Sequence, residues 1–184
     1  MKKIVILEGP DGGGKTTLAG ALTRKRGRNY SIVKTGPPRP DYDVAVAYLD
    51  AIYAALARPD STVFDRLHIG ERIYGPLLRG EDRMGDDGLA AIERVMLTHG
   101  VALIICLPPW ETLVAGWRSK DDLLKDEAQL RHVYDAYCRE AARLKIVPYD
   151  WTASDAEMRV KEVIDAQVQG GRTNGACQIA SWKI

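Results

Sequence analysis

An α/β fold, a five-stranded parallel sheet with helices on both faces, is what this 184-residue sequence predicts. Three observations carry the prediction. Short apolar runs alternate with longer stretches of helical periodicity, joined by brief connections. The run Val101-Ala102-Leu103-Ile104-Ile105-Cys106-Leu107 is apolar on both faces, as a central parallel strand must be. A glycine-rich turn follows the first strand, at the end where open α/β sheets bind their ligands.

Taken in order, Lys3-Ile4-Val5-Ile6-Leu7 forms the first strand, bounded by Gly9-Pro10, and a helix runs from Thr16 to about Arg26. Tyr30 to Lys34 makes the second strand, closed by Gly36-Pro37-Pro38. The pattern from Asp41 to Ala57 is helical, with Asp41 as N-cap and Pro59 just past the end. Thr62-Val63-Phe64 is the third strand. Leu67 to Leu78 reads as a helix that Gly75-Pro76 is expected to break or kink. A charged loop, Arg79 to Gly85, leads to an Asp86-capped helix ending at Gly100. Beyond the Val101–Leu107 strand, Pro108-Pro109 opens a helix to about Trp117, and the polar run Arg118-Ser119-Lys120-Asp121-Asp122 interrupts it. A long helix continues to about Leu144, and Ile146-Val147 supplies the fifth strand. Ser154-Asp155-Ala156-Glu157 has capping-box spacing and opens a last helix to about Val168. Residues 1–168 thus read as one domain, and 169–184 as a tail that is mobile or adds a short strand.

Composition narrows the function. Hydrophobic residues at 46% and charged residues at 28% exclude a disordered chain, a collagen-like repeat and a coiled-coil rod. No apolar run approaches the roughly 18 residues of a spanning helix, and the four apolar residues before Glu8 are too few for a secretory signal, so no membrane partner is expected. A net charge of +1 gives no global pull toward nucleic acid or membrane, while leaving a local basic groove open. Cys106, Cys138 and Cys177 are odd in number and far apart, without metal-ligand spacing, which fits a reduced, cytoplasmic setting; Cys106 reads as a buried small hydrophobe.

The chemistry begins at Gly9-Pro10-Asp11-Gly12-Gly13-Gly14-Lys15-Thr16, which matches G-x-x-x-x-G-K-[ST] between a strand and a helix. Glycines let successive N–H groups turn inward as an anion cradle, and the helix N-terminus adds its positive dipole end. Lys15 reaches β- and γ-phosphate oxygens, the Thr16 hydroxyl ligates Mg²⁺, and Gly9, Gly12, Gly13, Gly14 and Thr17 complete the ATP-binding set. An Asn-Lys-x-Asp base-reading motif is absent, which argues against a switch GTPase. The third strand ends in Asp65-Arg66. Arg66 is suited to hold an acceptor phosphate or the transferred group, and Asp65 to orient a magnesium-bound water or accept a proton; a surface ion pair is the alternative for both.

Glu8 to Thr17 closely resembles the phosphate loop of thymidylate kinases, with a Glu-Gly-x-Asp-Gly-x-Gly-Lys-[Ser/Thr]-Thr core. Asp65-Arg66 resembles that family's Asp-Arg motif, and Tyr74 falls where it has a tyrosine in the following helix. Leu107-Pro108-Pro109-Trp110-Glu111 followed by Arg118 is similar to the family's strand and Pro–Pro–Glu helix leading to an arginine-bearing lid, here near 118–122. The long helix bearing Tyr134 and Tyr137 is similar too. Related deoxynucleoside kinases and viral kinases share the scaffold. The resemblance covers roughly residues 3–168 and implies ATP- and Mg²⁺-dependent phosphorylation of a nucleotide acceptor. It places Asp11 near the acceptor hydroxyl, Arg66 on the acceptor phosphate, and Arg118, with Lys120 a weaker candidate, over the transferred phosphoryl group. Glu71, Tyr74 and Arg79 complete the expected acceptor set.

The chain also departs from that family. Lys34-Thr35-Gly36-Pro37-Pro38-Arg39 stands in place of Arg-Glu-Pro-Gly-Gly, and Gly70 and Tyr74-Gly75 replace a serine and a Tyr-Gln whose glutamine takes part in thymine recognition. His68 reads as a partly exposed residue at a helix start, and Glu71 either contacts the acceptor or pairs with Arg72 or Arg79. Trp110 and Trp117 share a helix face and read as core, as do Tyr48 and Tyr53. A (deoxy)nucleoside monophosphate kinase of thymidylate kinase type is the first reading. A kinase acting on DNA, for instance on a hydroxymethylated pyrimidine, a deoxynucleoside kinase and a non-enzymatic nucleotide-binding module stay open, as does a homodimer. If the chain is viral, its setting is the host cytoplasm.

Overall fold

The structure is a computed structural model that describes residues 2–24, 30–36, 39, 41–118 and 123–170, without the side chains of 167–170. Four strands, β1 (Ile4–Glu8), β2 (Tyr30–Lys34), β3 (Ser61–Asp65) and β4 (Ala102–Ile105), form a sheet in the order β2-β3-β1-β4. Every pairing is parallel. The helices are α1 (Lys15–Arg24), α2 (Val44–Ala57), α3 (His68–Arg79), α4 (Gly85–His99), α5 (Trp110–Trp117), α6 (Glu127–Arg143) and α7 (Ala156–Gly170).

Period-two alternation divides the strands between two cores. Ile4, Ile6, Phe64, Leu103 and Ile105 point into one, where Ile52 of α2, Ile69 of α3, Ile92 of α4, Leu113 of α5 and Leu130 of α6 pack on them. Val5, Leu7, Val63, Ala102 and Ile104 face the other, covered by Leu18 and Leu22 of α1 and Val160 and Ile164 of α7. Helices on both faces are therefore borne out. Phe64 is wholly buried at the sheet centre, and truncation to alanine there costs about 3–5 kcal/mol on the usual scale for such sites. The register sets Leu7 of β1 beside Asp65 of β3, so the glycine turn and Asp65-Arg66 emerge side by side.

Five strands become four. Ile146-Val147 forms no strand; instead Tyr149 makes a single parallel bridge to Cys106, its N–H donating to Ile105 O at 2.7 Å and its carbonyl accepting from Leu107 N at 2.9 Å. Two features of the chain account for this. Lys145 turns with φ 53°, and Pro148 has no N–H to extend the ladder. Val147 is left exposed.

Smaller corrections concern caps and ends. The first strand reaches Glu8, the third spans Ser61–Asp65, and the fourth is Ala102–Ile105 rather than Val101–Leu107. Asp43, not Asp41, caps α2, its carboxylate accepting from Val46 N at 3.1 Å. Pro76 does not end α3, which continues to Arg79 and stops at Gly80 in the left-handed conformation. Asp82, not Asp86, serves the start of α4, accepting from Met84 N at 3.0 Å and Gly85 N at 3.3 Å. Pro109 is the residue before α5, which begins at Trp110. The last helix reaches Gly170; the rest of the predicted tail, Cys177 and Lys120 lie outside the described residues.

Candidate active site

The loop between β1 and α1 closes around its own backbone. A Cβ on Gly9, at φ 139°, would stand 2.4 Å from Cys106 O, and one on Gly13 would stand 2.8 Å from the same oxygen. Only glycine fits either place, so the loop lies tight against the backbone just past β4, with the Gly13 N–H donating to Pro10 O at 3.1 Å. Lys15 is buried, and its Nζ donates to Gly9 O and Pro10 O, each at 2.7 Å. Burial, reinforced by the charge of Arg66 and opposed by Asp11, lowers its pKa to about 8.

Beside it opens a cavity of about 350 Å³. Asp11, Gly12, Gly14, Lys15, Thr16 and Thr17 form one wall; Lys34 and Thr35 from the end of β2 and Asp65 and Arg66 from the end of β3 form the other. The Thr16 hydroxyl donates to Asp65 Oδ2 at 3.3 Å. The pair offers two hard oxygen donors, the kind Mg²⁺ takes. An ion held there by Thr16 and Asp65 would draw its remaining ligands from phosphate oxygens and water.

Arg66 stands at the end of β3 on the cavity wall. Its backbone is left-handed, φ 71°, a conformation that costs a non-glycine residue about 1–2 kcal/mol. Its N–H donates to Leu7 O at 2.9 Å, and its carbonyl accepts from the Thr35 hydroxyl at 2.8 Å. The guanidinium pairs with Asp11 and lies 5.2 Å from the Tyr74 ring centroid. The Tyr74 hydroxyl donates to Asp11 Oδ2 at 3.3 Å, so Asp11, Arg66 and Tyr74 form one polar group at the cavity edge.

Beneath this group lies Glu8, wholly buried. Its Oε1 accepts from Leu67 N at 2.9 Å and Ile69 N at 3.1 Å; its Oε2 accepts from Gly70 N at 3.1 Å and the Tyr137 hydroxyl at 3.2 Å. Burial raises its pKa, while the Leu67 and Gly70 N–H groups and the charges of Arg66 and Lys15 pull it back.

Of the residues read from the sequence, Asp11, Gly12, Gly14, Lys15, Thr16, Thr17, Asp65 and Arg66 meet at the cavity, Gly9 and Gly13 shape the loop beneath it, and Tyr74 joins through Asp11. Glu71 and Arg79 do not line the cavity; they pair with each other, the Glu71 side chain nearly buried. Burial raises the Glu71 pKa against the pull of Arg79. Arg118 stands at the end of α5, outside the lining, paired with Glu127 at 2.5 Å. His68 is fully buried rather than partly exposed, and burial together with the nearby charge of Arg143 lowers its pKa to about 3. Tyr53 is half exposed rather than core, its ring edge-on to His99, whereas Tyr48, Trp110 and Trp117 pack on the core as expected. Cys106 is buried, its thiol pushed up to about 12.

Sequence reading missed four contributors. Lys34 and Thr35 enter the sequence reading only as part of a departure from a motif, although their place at the C-terminal end of a parallel strand is signal enough. Glu8 stood inside the motif without a role. Trp151 had no signal at all: a side chain on Gly14 would meet its indole at 2.7 Å, a contact made across the fold, while about half of Trp151 remains exposed.

Neither a protein-family model nor a curated protein sequence matches this chain. Solved structures do. The YorR protein of Bacillus subtilis, in complex with phosphorylated GDP, is similar at 18% identity and a TM-score of 0.66, over 91% of this chain and 97% of that one. A chain of the Pnkp1/Rnl/Hen1 RNA repair complex is similar at 14% identity and a TM-score of 0.53, over 77% of this chain and 46% of that one. Deoxyadenosine kinase from M. mycoides with bound dATP aligns at 18% identity and a TM-score of 0.49, over 92% and 98%. What the likeness shows is the fold: a parallel α/β sheet with helices on both faces, shared with the YorR protein over nearly the whole of both chains.

Proposed function

We propose that this protein is a nucleoside monophosphate kinase, transferring the γ-phosphoryl group of magnesium-bound ATP to a free (deoxy)nucleotide. The observation that carries this reading is the shared cavity: a phosphate loop with Lys15 on one wall, and Lys34 with Arg66 at strand ends on the other. A cation on each wall, with Asp11 and Asp65 beside them, suits two phosphate-bearing ligands. Charge neutralisation and positioning supply most of the catalysis in such transfers.

Bound magnesium and ATP would supply the phosphoryl group and neutralise its β- and γ-oxygens. The loop N–H groups and Lys15 hold those oxygens, and Thr16 with Asp65 faces the metal. Arg66 fastens the acceptor phosphate by a two-pronged contact. Asp11, which pairs with Arg66 in this structure, orients the acceptor hydroxyl or sugar. Thymidylate kinase type remains the subclass with the most motif support, with its thymine-reading glutamine replaced by Gly75.

The loop from Arg79 to Gly85 favours a free nucleotide over DNA. Its charges are matched within the fold: Arg79 with Glu71, Asp82 with Arg72, Glu81 with Arg83 at 3.9 Å, and Arg83 also donating to the carbonyls of Arg39 at 2.9 Å and Tyr42 at 2.7 Å. No helix among the described residues is long and apolar enough to cross a membrane.

Calorimetric binding of acceptors tests the reading. Arg66→Ala should weaken binding of a nucleoside monophosphate by about 10–100-fold and leave the matching nucleoside unchanged, the range for a charged hydrogen-bond pair. Equal losses for both ligands would show that Arg66 does not hold the acceptor phosphate.

A further inference from the structure

The start of α3 has an unusual cap. Its N-cap residue, Leu67, offers no side-chain hydrogen bond, yet three N–H donors of this turn, those of Leu67, Ile69 and Gly70, are satisfied. The acceptor comes from another element: the Glu8 carboxylate, at the end of β1 and immediately before the phosphate loop. Four donors fill its four lone-pair positions, the fourth being the Tyr137 hydroxyl of α6. Directly before this capped turn stands Arg66, left-handed and held at its N–H by Leu7 O and at its carbonyl by Thr35. Strain in a non-glycine residue persists only where its surroundings over-determine it, and here the surroundings are these contacts. Gly70 belongs to the same arrangement: a Cβ there would stand 3.4 Å from Glu8 Oε2 and 3.5 Å from the Tyr137 hydroxyl.

We propose that Glu8 is a positioning residue for Arg66: from the base of the phosphate loop its carboxylate pins the first turn of α3, and this holds the Arg66 backbone so that its guanidinium faces the acceptor phosphate. The proposal rests on the reading of Arg66 given above. Glu8 touches neither substrate and acts only through Arg66, linking the strand that carries the donor loop to the arginine that serves the acceptor.

Glu8→Gln keeps the size and turns an NH₂ toward the donors it must serve. It should raise the KM for the monophosphate acceptor by about tenfold and change the KM for ATP by less than about twofold. In an Arg66→Ala background the same substitution should change the acceptor KM by less than about twofold, because the residue it positions is gone. Tyr137→Phe removes one donor, keeps the packing, and should shift the acceptor KM the same way by a smaller factor; it stands in if Glu8→Gln does not fold. Amide hydrogen exchange at Leu67, Ile69 and Gly70 should accelerate in either variant. Equal rises in both KM values, or an undiminished effect with Arg66→Ala, would overturn the proposal. A wild-type protein that phosphorylates no monophosphate defeats the functional reading instead. The exchange rates then decide the role of Glu8 in the cap, and unchanged rates there defeat it.

Discussion

At the scale of single residues, two buried titratable groups make the site and its foundation sensitive to pH in opposite regions. Lys15, with its pKa lowered to about 8, loses its charge in the free protein above that value, while a polyphosphate favours the charged form. Triphosphate affinity should therefore fall by up to about tenfold per pH unit above pH 8, with proton uptake on binding at pH 9. Titration calorimetry in buffers of different ionisation enthalpy measures both, and a pH-independent affinity from 7 to 9.5 would contradict the assignment of Lys15. His68 works at the acid end. Its folded pKa of about 3 lies below the ordinary 6.5, so between those values the unfolded chain takes up a proton that the folded chain does not. Stability present above pH 6.5 is lost as pH falls, at about 1.4 kcal/mol per unit from this one group. Urea unfolding at pH 7 and pH 5 should show a shallower loss for His68→Leu than for the wild type, and equal losses would remove His68 from the account. Lys15 lines the cavity with the rest of its loop, a position legible in the sequence because the motif fixes its neighbours. The sequence reading misplaces His68, because burial at a helix start depends on what α6 brings against it, and nothing local encodes that.

Elements were legible where periodicity and turn chemistry act locally. The alternation of strands and helices, the strand core of Ala102–Ile105 and the glycine turn all follow from side-chain pattern. What failed was set by non-local pairing. Ile146-Val147 looked like a strand, but Pro148 passes the one bridge on to Tyr149. The Asp43 and Asp82 caps were missed in favour of near neighbours, since which carboxylate reaches a free N–H depends on backbone angles of the entering loop. The phosphate loop is the element with the least freedom. Gly9→Ala places a methyl against Cys106 O and forces a left-handed backbone on alanine, so it should destabilise the fold by more than about 1 kcal/mol and abolish nucleotide binding. Thermal unfolding and a nucleotide-binding titration check this; unchanged values in both would mean the loop has a different shape.

For the whole molecule, the arrangement of the sheet explains how a chain without extreme charge or composition gathers a site. Strand order β2-β3-β1-β4 brings the ends of β2 and β3 to the glycine turn that follows β1, so residues as far apart in sequence as Asp11 and Arg66 share one cavity. That convergence was readable in part. Asp65-Arg66 and the loop both read from the sequence as parts of the site, and Lys34 and Thr35 share their position at a strand end, while Trp151 becomes visible only through the folded contacts. Arg118 and the Glu71–Arg79 pair lie outside the cavity, so their part in catalysis depends on the substrate-bound arrangement. The central claim is phosphoryl transfer to a free nucleoside monophosphate. It is tested most directly by following γ-labelled phosphate from ATP, with Mg²⁺, into the four deoxynucleoside monophosphates, dUMP, the free nucleosides, and DNA with and without hydroxymethylated pyrimidines. The account predicts label in one or more nucleoside diphosphates and its loss in Lys15→Ala. Label only in DNA, only in nucleoside products, or in none of the acceptors would contradict it.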